Sequence, residues 1–503
     1  MTEAHASPST ARMVWRNRAG ALSLASLAAA CCVLAVLAAP AGATGAPLRT
    51  GVSYVLANEE PAVALEHVKA TGAQFAQTPI RWSEVAPEKL PAAWNPEDPA
   101  DPHYYWEKID RWVVAAVQDG LTPLLQIRSA PAWAQRCPAA QIDTGAPCNP
   151  DPAALAAFAT AAARRYSGQF GGLPRVQYWQ GLNEPNLGYF FNPQYEGDKP
   201  VSPILYRALI NAFYAAVKAV DPSDLVLAAG LSPLAVPGSL GPMRFARLLL
   251  CMTGGKHPRP TGGNCEGGVD SDIFDIHPYT SGGPTHKAEA ANDVEMGDLG
   301  KLTTLLAAAD RAGRIHGAFP HTPLWITEFS WDSNPPDPGG LAMTIETRWI
   351  AEVLHEAWSD GVHTFFWYSL RDAPGVAGFP NAETPQSGLY FRGPTVAQDE
   401  PKEAMSAFRF PFVAYPRTKG LEFWGRTPNS GAGSVTIQVL RKGRWRKIVT
   451  ARANGVGIFR GRAPTAYGRN ESGKARALYR SQGSPAFSMR GIPDFFQPPF
   501  GTE

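Results

Sequence analysis

Cysteine is scarce: six residues in 503. Cys31 and Cys32 fall in an apolar N-terminal run, leaving Cys137 with Cys148 and Cys251 with Cys265 in two Pro/Gly-rich segments. Neither pair has CxxC-like spacing and no histidine stands at ligand spacing beside them, which argues against a four-cysteine zinc site. No HExxH or similarly spaced His/carboxylate cluster occurs elsewhere, so neither a metal nor another cofactor is expected. No GxGxxG follows the first strand-like run, which weighs against an open, doubly wound nucleotide-binding sheet. Charge is also sparse, at 18% of residues beside 45% hydrophobic, and there is no long polar tract, repeat or low-complexity linker. The chain is therefore globular, with length for two or three units. No recognised nucleic-acid motif is present, and nucleic acid is not an expected partner.

What is there starts with Arg12, Arg16 and Arg18, then an apolar run from Ala21 to Ala39, Pro40 and the small triplet Ala41-Gly42-Ala43. That order reads as a secretory signal over residues 1–43 with cleavage near Ala43. An uncleaved anchor helix is the alternative, and only then is a membrane a partner. A lipid anchor on Cys31 is disfavoured, because Ala28 stands where a large aliphatic residue belongs. Either way the remainder is secreted or extracytoplasmic. In an oxidising compartment Cys137–Cys148 and Cys251–Cys265 are expected to close small disulfide loops.

The net charge of +2 hides opposed halves. Residues 417–503 hold sixteen Lys/Arg and four Asp/Glu, a balance of +12, while residues 44–416 stand at −12. Either the halves attract one another across their interface, or the basic tail meets a separate anionic ligand such as a wall polymer.

Eight short apolar runs recur at spacings of mostly about 40 to 50 residues. They are "RTGVSYV" from Arg49, "AQFAQTPI" from Ala73, "TPLLQIR" from Thr122, "RVQYWQG" from Arg175, "LVLAAGL" from Leu225, "IFDIHPY" from Ile273, "PLWITEF" from Pro323 and "HTFFWYS" from His363. Segments with helical periodicity lie between them, such as residues 151–167 and 204–220. Alternating strand and helix implies parallel strands, and eight units imply an α/β fold, a (β/α)8 TIM barrel over residues 44–413. The tail changes rhythm to short alternating runs with Gly and Pro, with a hairpin turn at Lys442-Gly443. A C-terminal all-β sandwich is expected over residues 417–503.

In such a barrel the carboxyl ends of the strands share one mouth. Those ends carry Arg81 and Trp82, Arg128 and Trp133, Asn183-Glu184-Pro185, His277-Pro278-Tyr279, Glu328 and Trp367. Two glutamates with tryptophans and hydrogen-bonding groups suit cleavage of a glycosidic bond. One carboxyl protonates the departing oxygen and the other faces the oxocarbenium-like centre, while Trp covers sugar faces and Asn, His and Arg bind sugar edges.

The "NEP" after the fourth run, "HPY" at the sixth, "ITEF" at the seventh and "FFWYS" at the eighth together resemble glycoside hydrolase clan A. "QYWQGLNEPN" and "DIHPY" look most like families thirty-nine and five. The resemblance spans Leu48 to Val413 and includes "PKEAMSAFRFPF", which is similar to that clan's last barrel helix. It implies a retaining glycosidase acting on β-linked glycosides, with Glu184 as acid/base and Glu328 as nucleophile. It further implies that Asn183 holds the sugar 2-hydroxyl and that Arg81 lies beside the nucleophile. His277 and Tyr279 would stand near nucleophile and substrate, Trp367 would be the sugar platform, and Trp133 a more variable contact. The rival reading is a non-catalytic carbohydrate-binding or wall-associated protein on the same barrel. Loops 92–106 and 331–340 set pocket depth and hence exo or endo action, with "DSNPPDPGG" a lid or an exposed turn.

Overall fold

The computed structural model describes residues 47–498 apart from 144, 263–264, 266, 376–383 and 465–472, so the expected signal lies outside the described residues. Each apolar run forms a strand: β1 (Arg49–Val52), β2 (Phe75–Arg81), β3 (Thr122–Arg128), β4 (Tyr178–Gly181), β5 (Leu225–Leu231), β6 (Ile273–Ile276), β7 (Leu324–Ile326) and β8 (Thr364–Trp367). Each pairs in parallel with the next, and β8 closes on β1 through Arg49 beside Thr364, giving a closed eight-stranded barrel. Crossover helices follow in turn: α1 (Pro61–Ala70), α2 (Glu107–Gln118), α3 (Pro152–Arg165), α4 (Ser202–Val220), α5 (Pro242–Leu249), α6 (Leu299–Arg311), α7 (Met343–Ser359) and α8 (Glu403–Arg409). The start of α3 is encoded locally. Asp151 accepts from the Ala153 and Ala154 amides, and Pro152 supplies a helical φ where no amide is needed.

Strand parity decides what fills the barrel. Phe75, Leu124, Tyr178, Leu227, Ile273, Trp325 and Phe366 form an apolar plug, separate from the outer core beneath the helices. Two residues further along the strands stand Gln77, Gln126, Gln180, Asp275 and Thr327, all buried. This polar layer carries the next residues inward, at the mouth. Outward positions such as Trp179, Ile326 and Trp367 pack under the helices instead.

After α8 come β9 (Phe412–Arg417), β10 (Gly420–Arg426), β11 (Gly433–Arg441), β12 (Arg444–Ala453), β13 (Ile458–Ala463) and β14 (Lys474–Tyr479). They form two antiparallel sheets, β9–β10–β13 and β12–β11–β14 with short additions on β14. The hairpin at Lys442-Gly443 is present, both residues having positive φ as a tight two-residue turn requires. The first strand of this region begins at Phe412, inside the range expected for the barrel. Arg426, fully buried, donates from Nη2 to Thr50 Oγ1 in β1, so the β region is keyed directly into the barrel wall.

The rim beside the seventh and eighth strands has its own brace. Lys402 Nζ, buried just before α8, reaches Asp372 Oδ1, Ser333 Oγ and the Gln386 carbonyl, joining the loops that follow β7 and β8. "DSNPPDPGG" folds as a braced turn: Ser333–Asn334 pairs with Leu341–Ala342, and Asp332 and Asp337 are buried. Both expected disulfides are formed, Cys137–Cys148 and Cys251–Cys265, as fits an extracellular protein. No helix among the described residues is long and apolar enough to cross a membrane.

Candidate active site

Glu184 and Glu328 line one cleft of about 550 Å3 at the strand carboxyl ends, together with Tyr54, Arg81, Arg128, Asn183, Tyr279 and Tyr368. A larger hollow of about 860 Å3 adjoins it, sharing Tyr54 and Arg81 and walled by residues 99–110. The chemistry distinguishes the two, because only the smaller one contains both rim glutamates. The backbone after β4 turns sharply, with φ of 60° at Leu182 and 40° at Glu184, and the Glu184 amide is held by the Gly230 carbonyl.

His277 bridges the two acids. Its Nδ1 lies 2.9 Å from Glu184 Oε1 and 3.7 Å from Glu328 Oε2, so those two oxygens are within 6.6 Å of each other, the sum of the two legs. Behind His277 the chain continues inward. Nε2 is 3.0 Å from Thr327 Oγ1, which is 2.8 Å from Asp275 Oδ2. Asp275 also accepts from Gln180 Nε2 at 2.6 Å and from the Gly230 amide at 2.8 Å. Gly230 sits at the point where β5 slips register against β6, with φ of 51°; a Cβ there would lie 3.0 Å from Gln180 Nε2 and 3.1 Å from Asp275 Oδ2. Only glycine combines that conformation with that approach.

Proton counting along this chain assigns the imidazole. Burial pushes Asp275 up to about 6, so it is still an anion at neutral pH. Thr327 has one proton and gives it to Asp275, so Nε2 of His277 donates to Thr327, while Nδ1 faces the two glutamates, an arrangement that favours the charged ring. Burial opposes that charge, but Glu328 and the hydrogen-bonded Glu184 outweigh it and push His277 up to about 9. Burial also raises Glu328, and the Glu184 charge adds to this. His277, Arg128 and the Tyr279 hydroxyl, which donates to Oε2 at 3.3 Å, pull the other way.

This linkage has a sign. His277 is raised above its unfolded value, so its charge contributes stability that is complete below about pH 6.5 and lost as pH rises through about 9. At about 1.4 kcal/mol per unit this amounts to roughly 3 kcal/mol. The melting temperature should fall over that window and fall less steeply in His277→Gln; equal slopes in thermal scans would show that His277 is not charged.

The other expected residues are placed as follows. Asn183 is buried at the cleft, its Oδ1 accepting from Gln126 Nε2. Arg81 reaches the cleft but pairs with Glu84 at 3.5 Å. The arginine whose charge acts on Glu328 is Arg128, held near the rings of Tyr54 and Phe190 at 5.7 and 5.2 Å. Trp133 is half-buried and spends its Nε1 on the Pro87 carbonyl, edge-on to Trp82 and Trp94, and is not among the residues that line the cleft of the two glutamates. Trp367 needs correction as a sugar platform. It is 0% exposed, donates to the Ser387 carbonyl and packs on Trp331 and Phe408. Parity is the cause: Phe366 points into the barrel, so the next inward residue is Tyr368, and Tyr368 lines the cleft. Among the described residues no group of His, Cys, Asp and Glu is placed to hold a metal ion.

Comparison with known proteins adds backbone likeness. No family model and no curated protein matches the chain. Among solved structures it is similar to a family 39 glycoside hydrolase from the gut symbiont Bacteroides cellulosilyticus WH2, with 14% identity, 84% of this chain and 81% of that one covered, and a TM-score of 0.49. It is also similar to a GH39 enzyme from Xanthomonas axonopodis pv. citri, with 15% identity, 84% and 93% covered, and a TM-score of 0.46. A monomeric beta-xylosidase from Caulobacter crescentus CB15 matches with 16% identity, 83% and 95% covered, and a TM-score of 0.47. Likeness at this level belongs to the course of the chain, and the chemistry has to be read from the residues on the rim.

Proposed function

We propose that this chain is an exported retaining glycosidase that acts on β-linked glycosides. The observation that carries this reading is the pair Glu184 and Glu328, facing one cleft and bridged by His277 within a 6.6 Å limit. Inverting enzymes need room for a water between their carboxyls, which stand about 6.5 to 9.5 Å apart, whereas retaining pairs stand about 5 to 5.5 Å apart. The short path through His277 supports the narrow, retaining arrangement.

In the first step a Glu328 oxygen bonds to the anomeric carbon while the bond to the leaving oxygen breaks, and Glu184 gives that oxygen its proton. In the second, Glu184 takes a proton from water, the water oxygen bonds to the anomeric carbon, and Glu328 departs as carboxylate. Burial raises Glu328 above the usual carboxylate range, and His277, Arg128 and the Tyr279 hydrogen bond oppose that rise, toward the anionic form that the first step requires. Asn183 and Tyr368 are the cleft residues suited to a sugar edge and a sugar face.

A panel of β-aryl glycosides and β-linked oligosaccharides tests the reading. Turnover of at least one member is the expected result. Binding without turnover across the panel would favour the non-catalytic carbohydrate-binding alternative.

A further inference from the structure

The C-terminal β region has a second surface that the cleft does not use. Over residues 433–464 and 473–480 the sequence carries eleven Lys/Arg and no Asp/Glu. Register identifies the outward face of the β12–β11–β14 sheet. Val435, Ile437, Val439, Ala475 and Ala477 are buried on the inner side. The rows between them run Lys447–Gln438–Arg476 and Thr450–Thr436–Leu478 across the three strands, and Trp445 stands beside Leu440. A bulge opposite Ile437/Gln438 takes up one extra residue of β12, which keeps Lys447 and Thr450 on the same face despite their odd spacing.

Arg476 is held in place on this face. Its Nε donates to Gln438 Oε1 at 2.9 Å, and its guanidinium lies 4.3 Å from the centroid of the Trp445 ring. That fixes the plane of the fork without using its terminal nitrogens. Of the two readings of the opposed charges, attraction to the barrel does not occupy the cations of this face, although His286 and Asp494 pair elsewhere between the two regions. Arg417 and Arg462 pair with Glu422 inside the β region, and no ion pair among the described residues joins Lys447, Arg452, Lys474 or Arg476 to a barrel carboxylate.

We infer that this face binds an acidic polysaccharide, with Arg476 and Lys447 taking sugar carboxylates and Trp445 supplying apolar surface. Charge complementarity selects a polyanion. The combination of a fixed guanidinium fork, an indole, and the hydrogen-bonding Gln438, Thr436 and Thr450 selects one made of sugar rings, which present carboxylates, apolar faces and hydroxyl edges together.

The test uses the full chain and measures binding to polygalacturonate, to its fully methyl-esterified form, to double-stranded DNA and to anionic lipid vesicles. Wild type should bind polygalacturonate, more weakly as salt rises, and bind the esterified polymer little. The double variant Arg476→Ala/Lys447→Ala should lose about tenfold or more in affinity, with Trp445→Ala also weakened. Circular dichroism melting unchanged from wild type checks that the variants fold; where one does not, Arg476→Lys, which keeps the charge and removes the fork, replaces it and should still weaken binding. No binding of polygalacturonate by wild type, equal affinity in the variants, equal binding of the esterified polymer, or DNA or vesicles bound through the same residues as tightly would each overturn the inference.

Discussion

Glu328→Ala should lose turnover on β-aryl glycosides by about 10^4-fold or more while still binding substrate, because the proposed reaction runs through a bond from Glu328 to the anomeric carbon. Removing a nucleophile should cost far more than removing a binding contact, since the covalent route itself disappears. The variant also leaves a hole the size of a carboxylate beside Tyr279 and His277. Azide entering that hole attacks from the Glu328 side and releases the glycosyl azide of opposite anomeric configuration to the substrate. A drop of only a few fold in kcat/KM would remove Glu328 from the reaction.

Glu184→Ala should behave differently, and the difference assigns the roles. General acid catalysis contributes about 10^2 to 10^4-fold, so glycosides with poor leaving groups should lose about that much. A dinitrophenyl glycoside needs no proton on its leaving oxygen, so its first step should survive and its second step should become limiting. Azide then intercepts the glycosyl-enzyme from the Glu184 side, and the product keeps the configuration of the substrate. If the two variants gave azides of the opposite assignment, Glu184 and Glu328 would have to exchange roles. Steady-state kinetics across a leaving-group series, with NMR of the azide products, reads both outcomes.

Much of this was legible in the sequence, and the misses share a cause. The eight apolar runs fixed the barrel because each is a buried strand bounded by polar or glycine-containing loops, and "TPLLQIR" matches β3 residue for residue. That Glu184 and Glu328 reach one cleft was readable because both close such runs. Trp367 was misplaced by one position. The three residues before Tyr368 in β8 are all buried aromatics, so composition carries no parity there, and only Phe366 in the plug shows that Tyr368 turns inward. Arg128 stood in the list of strand ends without a role, because its effect on Glu328 depends on an approach across the mouth between residues 200 apart. The Asp275–Thr327–His277 chain was hidden likewise. Its one local signal is that Asp275 precedes His277 by two residues, which puts both inside the barrel.

The central claim is a covalent glycosyl-enzyme on Glu328. A 2-deoxy-2-fluoro glycoside with an activated leaving group, built on the sugar that the panel selects, slows the second step more than the first and lets the intermediate accumulate. Mass spectrometry of the treated protein should show one added fluoroglycosyl group, located on the peptide that carries Glu328. An adduct on Glu184, or no adduct together with a first-formed product of inverted configuration, would contradict the account.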